Sequence, residues 1–194
     1  PERRVALATA APGAPQGKGT LGFLGAGNYA GRVLIPAFKA AGATLHAVVS
    51  SGGVSAVHFG RKFGFAEAMT DEAALLADPG LDTVVVATRH DAHARQVLAA
   101  LQAGKHVFCE KPLCLTQAEL EAITDEAEAR PDQALMVGFN RRFAPQVVRM
   151  KALLAPITLP KSFIVTVNAG DIPADHWTQD AAVGGGRIIG EACH

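Results

Sequence analysis

The sequence predicts an α/β fold, a doubly wound parallel sheet followed by the beginning of a second α/β domain. Three observations carry that expectation. Short buried apolar runs alternate with helical stripes from residue 19 onward. The first run ends in Gly25-Ala26-Gly27-Asn28-Tyr29-Ala30, and a later one, Val107-Phe108-Cys109, ends in Glu110-Lys111-Pro112. Such alternation builds parallel sheets whose strands are buried on both faces. Ligands of these sheets sit outside the carboxyl ends of the strands, so the two motifs should open onto one crevice.

The elements follow in order. Thr20 to Leu24 reads as a buried strand. Val33, Leu34, Phe38 and Ala41 then mark a helical stripe, in which Pro36 removes a helical hydrogen bond and should kink or restart the turn. Leu45 to Val49 is the second strand, Val54 to Phe63 a helix and Ala66 to Met69 a short strand; Asp71 can cap a short helix reaching Ala77. Asp82 to Ala87 holds Val84-Val85-Val86, a central strand. Ala94, Val97, Leu98 and Leu101 stripe a helix ending at Gly104. Thr116 and Glu119 form a capping box ahead of Leu120 and Ile123, and Ala134 to Gly138 ends the series. Beyond Phe143 the rhythm changes. A helix from Pro145 to Leu154 precedes Ser162 to Val167, where Phe163, Val165 and Val167 alternate like a half-exposed strand of a different sheet.

Residues 19–142 are thus expected to form a dinucleotide-binding domain of the Rossmann type, and 143–194 the start of a truncated carboxyl-terminal α/β substrate domain. Residues 1–18 read as a linker or disordered tail, because Pro12, Gly13, Pro15, Gly17 and Gly19 crowd together. The chain starts at Pro1 and stops at His194 inside a helical pattern, so it reads as a piece of a longer polypeptide.

Composition excludes several classes. Lys and Arg number 18 against 18 Asp and Glu, which leaves no basic field for nucleic acid or an anionic membrane surface. No apolar run is long enough to span a bilayer. Cys109, Cys114 and Cys193 are an odd set without a second Cys/His pair at metal spacing, so no metal site is expected. Reduced, structural cysteines fit a cytoplasmic location.

In the first turn Gly25 permits the tight bend and Gly27 the approach of a pyrophosphate. The small Ala30 lets helix and strand pack closely. Backbone N–H groups from Gly25 through Asn28 and Tyr29, at a helix amino terminus, would hold that pyrophosphate. The second strand ends in Ser50-Ser51-Gly52-Gly53, without the carboxylate that normally follows the glycines by about twenty residues and binds the adenosine ribose. An acid-free end accommodates a 2′-phosphate, and Arg61 and Lys62 follow; NAD or NADP is expected, with NADP favoured. The alternative is NAD with weaker ribose contacts and a solvated Arg61–Lys62 face. Thr88, His90 and His93 follow the central strand and fall at the cofactor edge, His93 either lining the pocket or capping the helix. Glu110, Lys111 and Pro112 border the same crevice. Asn140 and Arg141, beyond the last strand, are placed to reach a nicotinamide ribose or a substrate anion. Trp177 would stack on a sugar or belong to the core.

Five segments occur in order: Gly25-Ala26-Gly27-Asn28-Tyr29-Ala30, Thr88-Arg89-His90-Asp91-Ala92-His93, Glu110-Lys111-Pro112-Leu113, Gly138-Phe139-Asn140-Arg141-Arg142-Phe143, and Gly184-Gly185-Gly186-Arg187 through His194. With these segments the chain resembles the glucose-fructose oxidoreductase, inositol dehydrogenase and rhizopine-catabolism family of NAD(P)-dependent oxidoreductases. Its Asn-Tyr-Ala and Gly-Glu-Ala-Cys-His variants are similar to a subgroup fused behind a zinc alcohol dehydrogenase-like half. The resemblance implies reversible hydride transfer between nicotinamide and a hydroxyl-bearing carbon of a sugar, cyclitol or related polyol. Lys111 would hydrogen-bond the reacting oxygen and His194 would exchange the hydroxyl proton. Pro112 would stiffen the turn, its preceding peptide cis in the family. Where the family places an aspartate four residues before that histidine, this chain has Gly190, so Glu191 either takes over the orienting role or faces solvent. In such enzymes the exposed sheet often pairs subunits, which leaves a homo-oligomer open.

A reading of a different class is a non-catalytic dinucleotide-binding module, a sensor or scaffold, or an inert fragment of a larger enzyme. A short-chain-type dehydrogenase is excluded, because its Tyr-x-x-x-Lys helix is missing and Tyr29 is the one tyrosine.

Overall fold

The structure, a computed structural model, describes residues 3–7, 19–168 and 170–192. Two compact units result, Pro1–Gly138 and Phe139–His194. The strands are β1 (Arg4–Ala6), β2 (Thr20–Leu24), β3 (Thr44–Val49), β4 (Glu67–Met69), β5 (Thr83–Val86), β6 (His106–Cys109) and β7 (Leu135–Val137). They form one sheet in the order β1-β4-β3-β2-β5-β6-β7. All pairs are parallel except β1 with β4. From β4 to β7 this is the winding of a Rossmann fold: the chain starts at the centre, steps outward one way, then returns and steps outward the other way. The reversal falls between β2 and β5, where a crevice opens at the strands' carboxyl ends.

Helices cover both faces: α1 (Ile35–Ala40), α2 (Val54–Phe63), α3 (Glu72–Leu76), α4 (His90–Gln102) and α5 (Gln117–Glu128). The period of two along β5 divides its valines. Val84 and Val86 join Leu24, Leu75, Val97, Leu101 and Ile123 on one face; Val85 joins Phe23, Ile35, Val48 and Phe65 on the other. On the second face Phe23 meets Phe38 and Phe65 edge to face at 5.9 and 5.6 Å. Burial on both faces makes β2 a continuous apolar run without polar alternation.

Local signals behave as their chemistry requires. Pro36 restarts the helix: Ala30–Leu34 is a π-helical turn, and Pro36 occupies the first turn of α1, where its missing N–H costs nothing. The Asp71 carboxylate accepts from the N–H groups of Ala73 and Ala74. The Thr116–Glu119 capping box closes as expected.

Two expectations are corrected. Residues 4–6, read as part of a linker, pair as β1 against β4, and the Arg4 guanidinium bonds Glu67 at 2.7 Å. The open edge of β4 explains this, since its free N–H and C=O groups accept any extended segment. Ser162–Val167, read as a strand, lies in no strand and is exposed. No strand occurs among the described residues beyond Val137, so the segment has no ladder to join. The second unit instead contains a 3-10 turn (Asn140–Phe143), α6 (Pro145–Leu154), a second 3-10 turn (Trp177–Gln179) and a π-helical turn (Ile188–Ala192). The division falls after Gly138, whereas the sequence reading set it after Arg142. Gly138 still donates to the Cys109 carbonyl at the sheet edge (2.8 Å).

Candidate functional site

The carboxyl ends of β2, β3 and β5 open into one cleft of about 560 Å³, lined by Gly25, Ala26, Gly27, Ser50, Ser51 and Thr88 among others. Gly25 has φ +99°, and a Cβ there would collide with the Ala87 carbonyl. Its N–H donates to Val49 at 3.0 Å, and the Ala87 N–H donates to Leu24 at 2.8 Å, which locks the turn between the flanking strands. Gly27 is exposed, and a Cβ on it would meet nothing within 4 Å. That emptiness is the space a pyrophosphate needs. Asn28 and Tyr29 are exposed beside it and Ala30 is buried beneath the helix start.

The cleft's side chains are tied into the scaffold. Ser50 Oγ accepts from the Ala56 N–H (3.1 Å), satisfying a free donor in the first turn of α2. Thr88 Oγ1 donates to Gln96 Oε1 (2.6 Å), and Gln96 Nε2 donates to Glu72 Oε1 (2.7 Å). Arg95 holds the other Glu72 oxygen at 2.9 Å. Glu72, Ser55 and Arg89 also line the cleft. Sequence reasoning missed Glu72, Ser55 and the buried Gln96. The usable signal was that β4, too, ends on this edge, so the first residue after the Asp71 cap faces it. Arg61 and Lys62 lie in the last turn of α2, the end away from the cleft, so the solvated-face alternative holds for them.

At the end of β6, Glu110 is buried and Lys111 half-buried, and the Lys111–Pro112 peptide is cis. The Lys111 N–H donates to Glu110 Oε2 (3.3 Å). Glu110 Oε1 is buried with no hydrogen-bond partner, and a Cβ on Gly138 would stand 2.8 Å from it. Burial raises the Glu110 pKa, while the Lys111 N–H and ammonium oppose the shift. The empty approach at Gly27 makes this edge fit a dinucleotide. Glu110 Oε1 lacks a partner but is closed off where it stands, so its side chain would have to turn to accept from a ribose hydroxyl.

His93 does not line the cleft. Only 1% exposed, it places Nδ1 2.6 Å from the Pro112 carbonyl oxygen and Nε2 3.2 Å from that of Thr88. Burial lowers its pKa against the pull of those carbonyls. His90 is half-buried, its ring 5.7 Å from that of His93. Cys109 is buried and Cys114 half-buried, both free, and burial pushes each thiol's pKa up. His46, Glu67 and Asp78 bring ligand atoms within 4.8 Å of one another, but the Arg4 guanidinium already sits on both carboxylates.

In the second unit Arg141 and Glu191, fifty residues apart, meet at 3.0 Å, and both are exposed enough to reach solvent. Glu191, proposed to orient His194, is therefore engaged by Arg141; His194 and Cys193 lie outside the described residues. Asn140 is exposed in its 3-10 turn, and Trp177 is half-buried. No helix among the described residues is long and apolar enough to cross a membrane.

Comparison with known proteins agrees with this geometry. A myo-inositol 2-dehydrogenase of Thermotoga maritima is 33% identical over 133 residues, 69% of this chain and 39% of its own. A 1,5-anhydro-D-fructose reductase of Ensifer adhaerens is 33% identical over 61% of this chain and 35% of its own. Among solved structures, a 3-ketoreductase from Actinomadura kijaniata in complex with TDP-benzene and NADP superposes with a TM-score of 0.75 at 27% identity, covering 89% of this chain and 53% of that one. An NAD-binding protein from Listeria innocua gives 0.77 at 30% identity, covering 92% and 52%. The chain thus spans about half or less of the length of these relatives. Residues 20–139 match the model of one family over the whole wound sheet, and this chain belongs to that family, the oxidoreductase family with an NAD-binding Rossmann fold.

Proposed function

We propose that this chain carries the cofactor half of an NAD(P)-dependent oxidoreductase acting on a hydroxyl-bearing carbon of a sugar, cyclitol or related polyol. The observation that carries the reading is the shared edge of the sheet. The open Gly25–Gly27 turn and the Glu110–Lys111 turn end parallel strands of one sheet on the same side. The names of the inositol- and anhydrofructose-directed relatives support the substrate class.

A nicotinamide dinucleotide would supply the site for hydride departure or arrival. The chain's own residues do the rest. Backbone N–H groups beyond Gly25, whose own N–H is held by Val49, take the pyrophosphate, and Gly27 leaves room for it. The free Glu110 oxygen accepts from a ribose hydroxyl. Lys111 donates to the substrate oxygen and offsets the negative charge that grows there as the O–H proton leaves. His194 is the group proposed to take that proton, a task that suits an imidazole. Ser50 and Ser51 leave room for a 2′-phosphate, Arg89 is a cation in the same cleft, and the Glu72 charge is offset by Arg95; these favour NADP.

The test is a sugar and cyclitol dehydrogenase screen on the complete polypeptide with NAD and NADP, wild type against Lys111→Ala. Nucleotide affinity should stay nearly unchanged while hydride transfer falls by about 10²-fold or more. Turnover at the wild-type rate in Lys111→Ala would remove the lysine from the mechanism. Ser50→Asp should shift preference towards NAD, and a strong wild-type preference for NAD would reverse the NADP assignment.

A further inference from the structure

We propose that His93 is a positioning residue that ties the Lys111 turn to the cofactor cleft by donating to the Pro112 carbonyl while its ring packs against the Thr88 carbonyl. The inference rests on the proposed roles of this turn, Glu110 at a ribose and Lys111 at the substrate oxygen, but its geometry stands apart from any substrate. Thr88 lines the cleft after β5, and Pro112 follows Lys111 after β6. Between these two loops His93 is 1% exposed, with one ring nitrogen at each carbonyl.

Both partners can only accept. A neutral imidazole has one N–H, so it donates to one carbonyl and turns a lone pair to the other. The contact of 2.6 Å with Pro112 requires the proton on Nδ1, leaving Nε2 facing Thr88 at 3.2 Å. The neutral brace therefore hydrogen-bonds only the Lys111 side, and on the Thr88 side Nε2 merely packs against the carbonyl. A second proton would give Nε2 a donor and tighten the Thr88 side. The titratable neighbours are Asp91 and His90 on α4 itself, and the Glu110 backbone on the facing turn adds a further, weaker pull on the ring. Asp91 favours the second proton, and burial opposes it more strongly.

This geometry separates the two halves of a bound dinucleotide. The Gly25–Gly27 cradle keeps its own hydrogen bond, from Gly25 to Val49, whereas the Lys111 turn depends on the brace.

The experiment uses the 194-residue chain. Long-range nitrogen-15 imidazole spectra should show His93 protonated at Nδ1 at neutral pH and taking a second proton only below the ordinary histidine value. An Nε2–H tautomer, or titration like an exposed imidazole, overturns the brace. In parallel, affinities for 2′-phosphoadenosine 5′-diphosphate, which ends at the pyrophosphate, and for NADPH are compared in wild type, His93→Ala and His93→Gln. His93→Ala should hold the diphosphate within about twofold while NADPH weakens by roughly tenfold, the scale of one lost buried hydrogen bond. His93→Gln, whose amide can donate to the Pro112 carbonyl, should recover most of that loss. Equal losses for both ligands, or loss for neither, overturn the proposal. If wild type binds neither ligand, the dinucleotide reading falls, and the imidazole spectra still decide the brace.

Discussion

Gly25 turns with φ +99° against Ala87, whose carbonyl fills the space a side chain on Gly25 would need. Two strands from distant parts of the sequence thus meet where only backbone fits. Gly27, two residues on, has neither constraint: a Cβ there meets nothing within 4 Å. The two glycines of one motif are therefore kept for different reasons, the first for folding and the second for whatever approaches from outside.

Gly25→Ala should destabilise the fold by roughly 1–3 kcal/mol or more, the range for a forced backbone conformation, to which the clash adds. Gly27→Ala should stay within about 0.5 kcal/mol of wild type. Gly27→Asp should fold and lose nucleotide binding by filling and charging the cradle. Thermal melts with titration calorimetry check all three; a Gly27→Asp chain that still binds NAD or NADP would show that the turn is not the cradle.

Much of this was legible because strand ends are. The glycine turn, Ser50-Ser51, Thr88 and Glu110-Lys111 each follow an apolar run, and a parallel sheet sends all such ends to one edge. Glu72 was legible only through the end of β4, which points to this edge; a single acid following a cap carries no pattern of its own. β1 escaped because three residues show no period, and its cause is the open edge of β4 rather than its own sequence. The sequence put His93 after β5, either lining the pocket or capping the helix, and showed no partner for it. Only the fold shows that the Pro112 carbonyl arrives beside it.

Arg141 and Glu191 offer a test within the second unit. Their side chains are 45% and 39% exposed, so solvent screens the pair and its coupling should not exceed about 1 kcal/mol. A double-mutant cycle with Arg141→Ala and Glu191→Ala, read by urea unfolding, measures it. If the pair instead serves catalysis, the single variants of the complete polypeptide will lose turnover while stability barely moves.

The Arg4 contact predicts a pH effect at the sheet edge. Burial alone would raise the Asp78 pKa, but the Gly80 N–H, His46 and Arg4 hold it below the ordinary carboxylate value. A lowered folded pKa contributes stability above the unfolded value and loses it as pH falls through the folded one. Arg4→Ala should therefore cost stability at neutral pH, and the difference from wild type should shrink as pH falls below about 4. A gap that stays constant from neutral to acid pH would mean that Arg4 contributes through packing alone.

Glu110 carries the opposite sign. Burial holds its folded pKa above the ordinary value, against the nearby Lys111 N–H and ammonium. Between the unfolded and the folded pKa the native state binds more protons than the unfolded one, so stability falls as pH rises through that window. At neutral pH a buried, half-satisfied carboxylate is a standing cost to the fold. Glu110→Gln removes the titration while keeping an acceptor for the Lys111 N–H. It should raise Tm at neutral pH by roughly 2–4 °C, the scale of ~1 kcal/mol in a domain of this size. That gain should vanish near pH 4, where the wild-type carboxyl is already protonated. The same substitution should weaken NADPH binding, because the proposed ribose contact is lost. Melts from pH 4 to 8 with and without NADPH separate the two effects: a variant that gains stability and keeps full affinity would show that the free Glu110 oxygen serves no ligand.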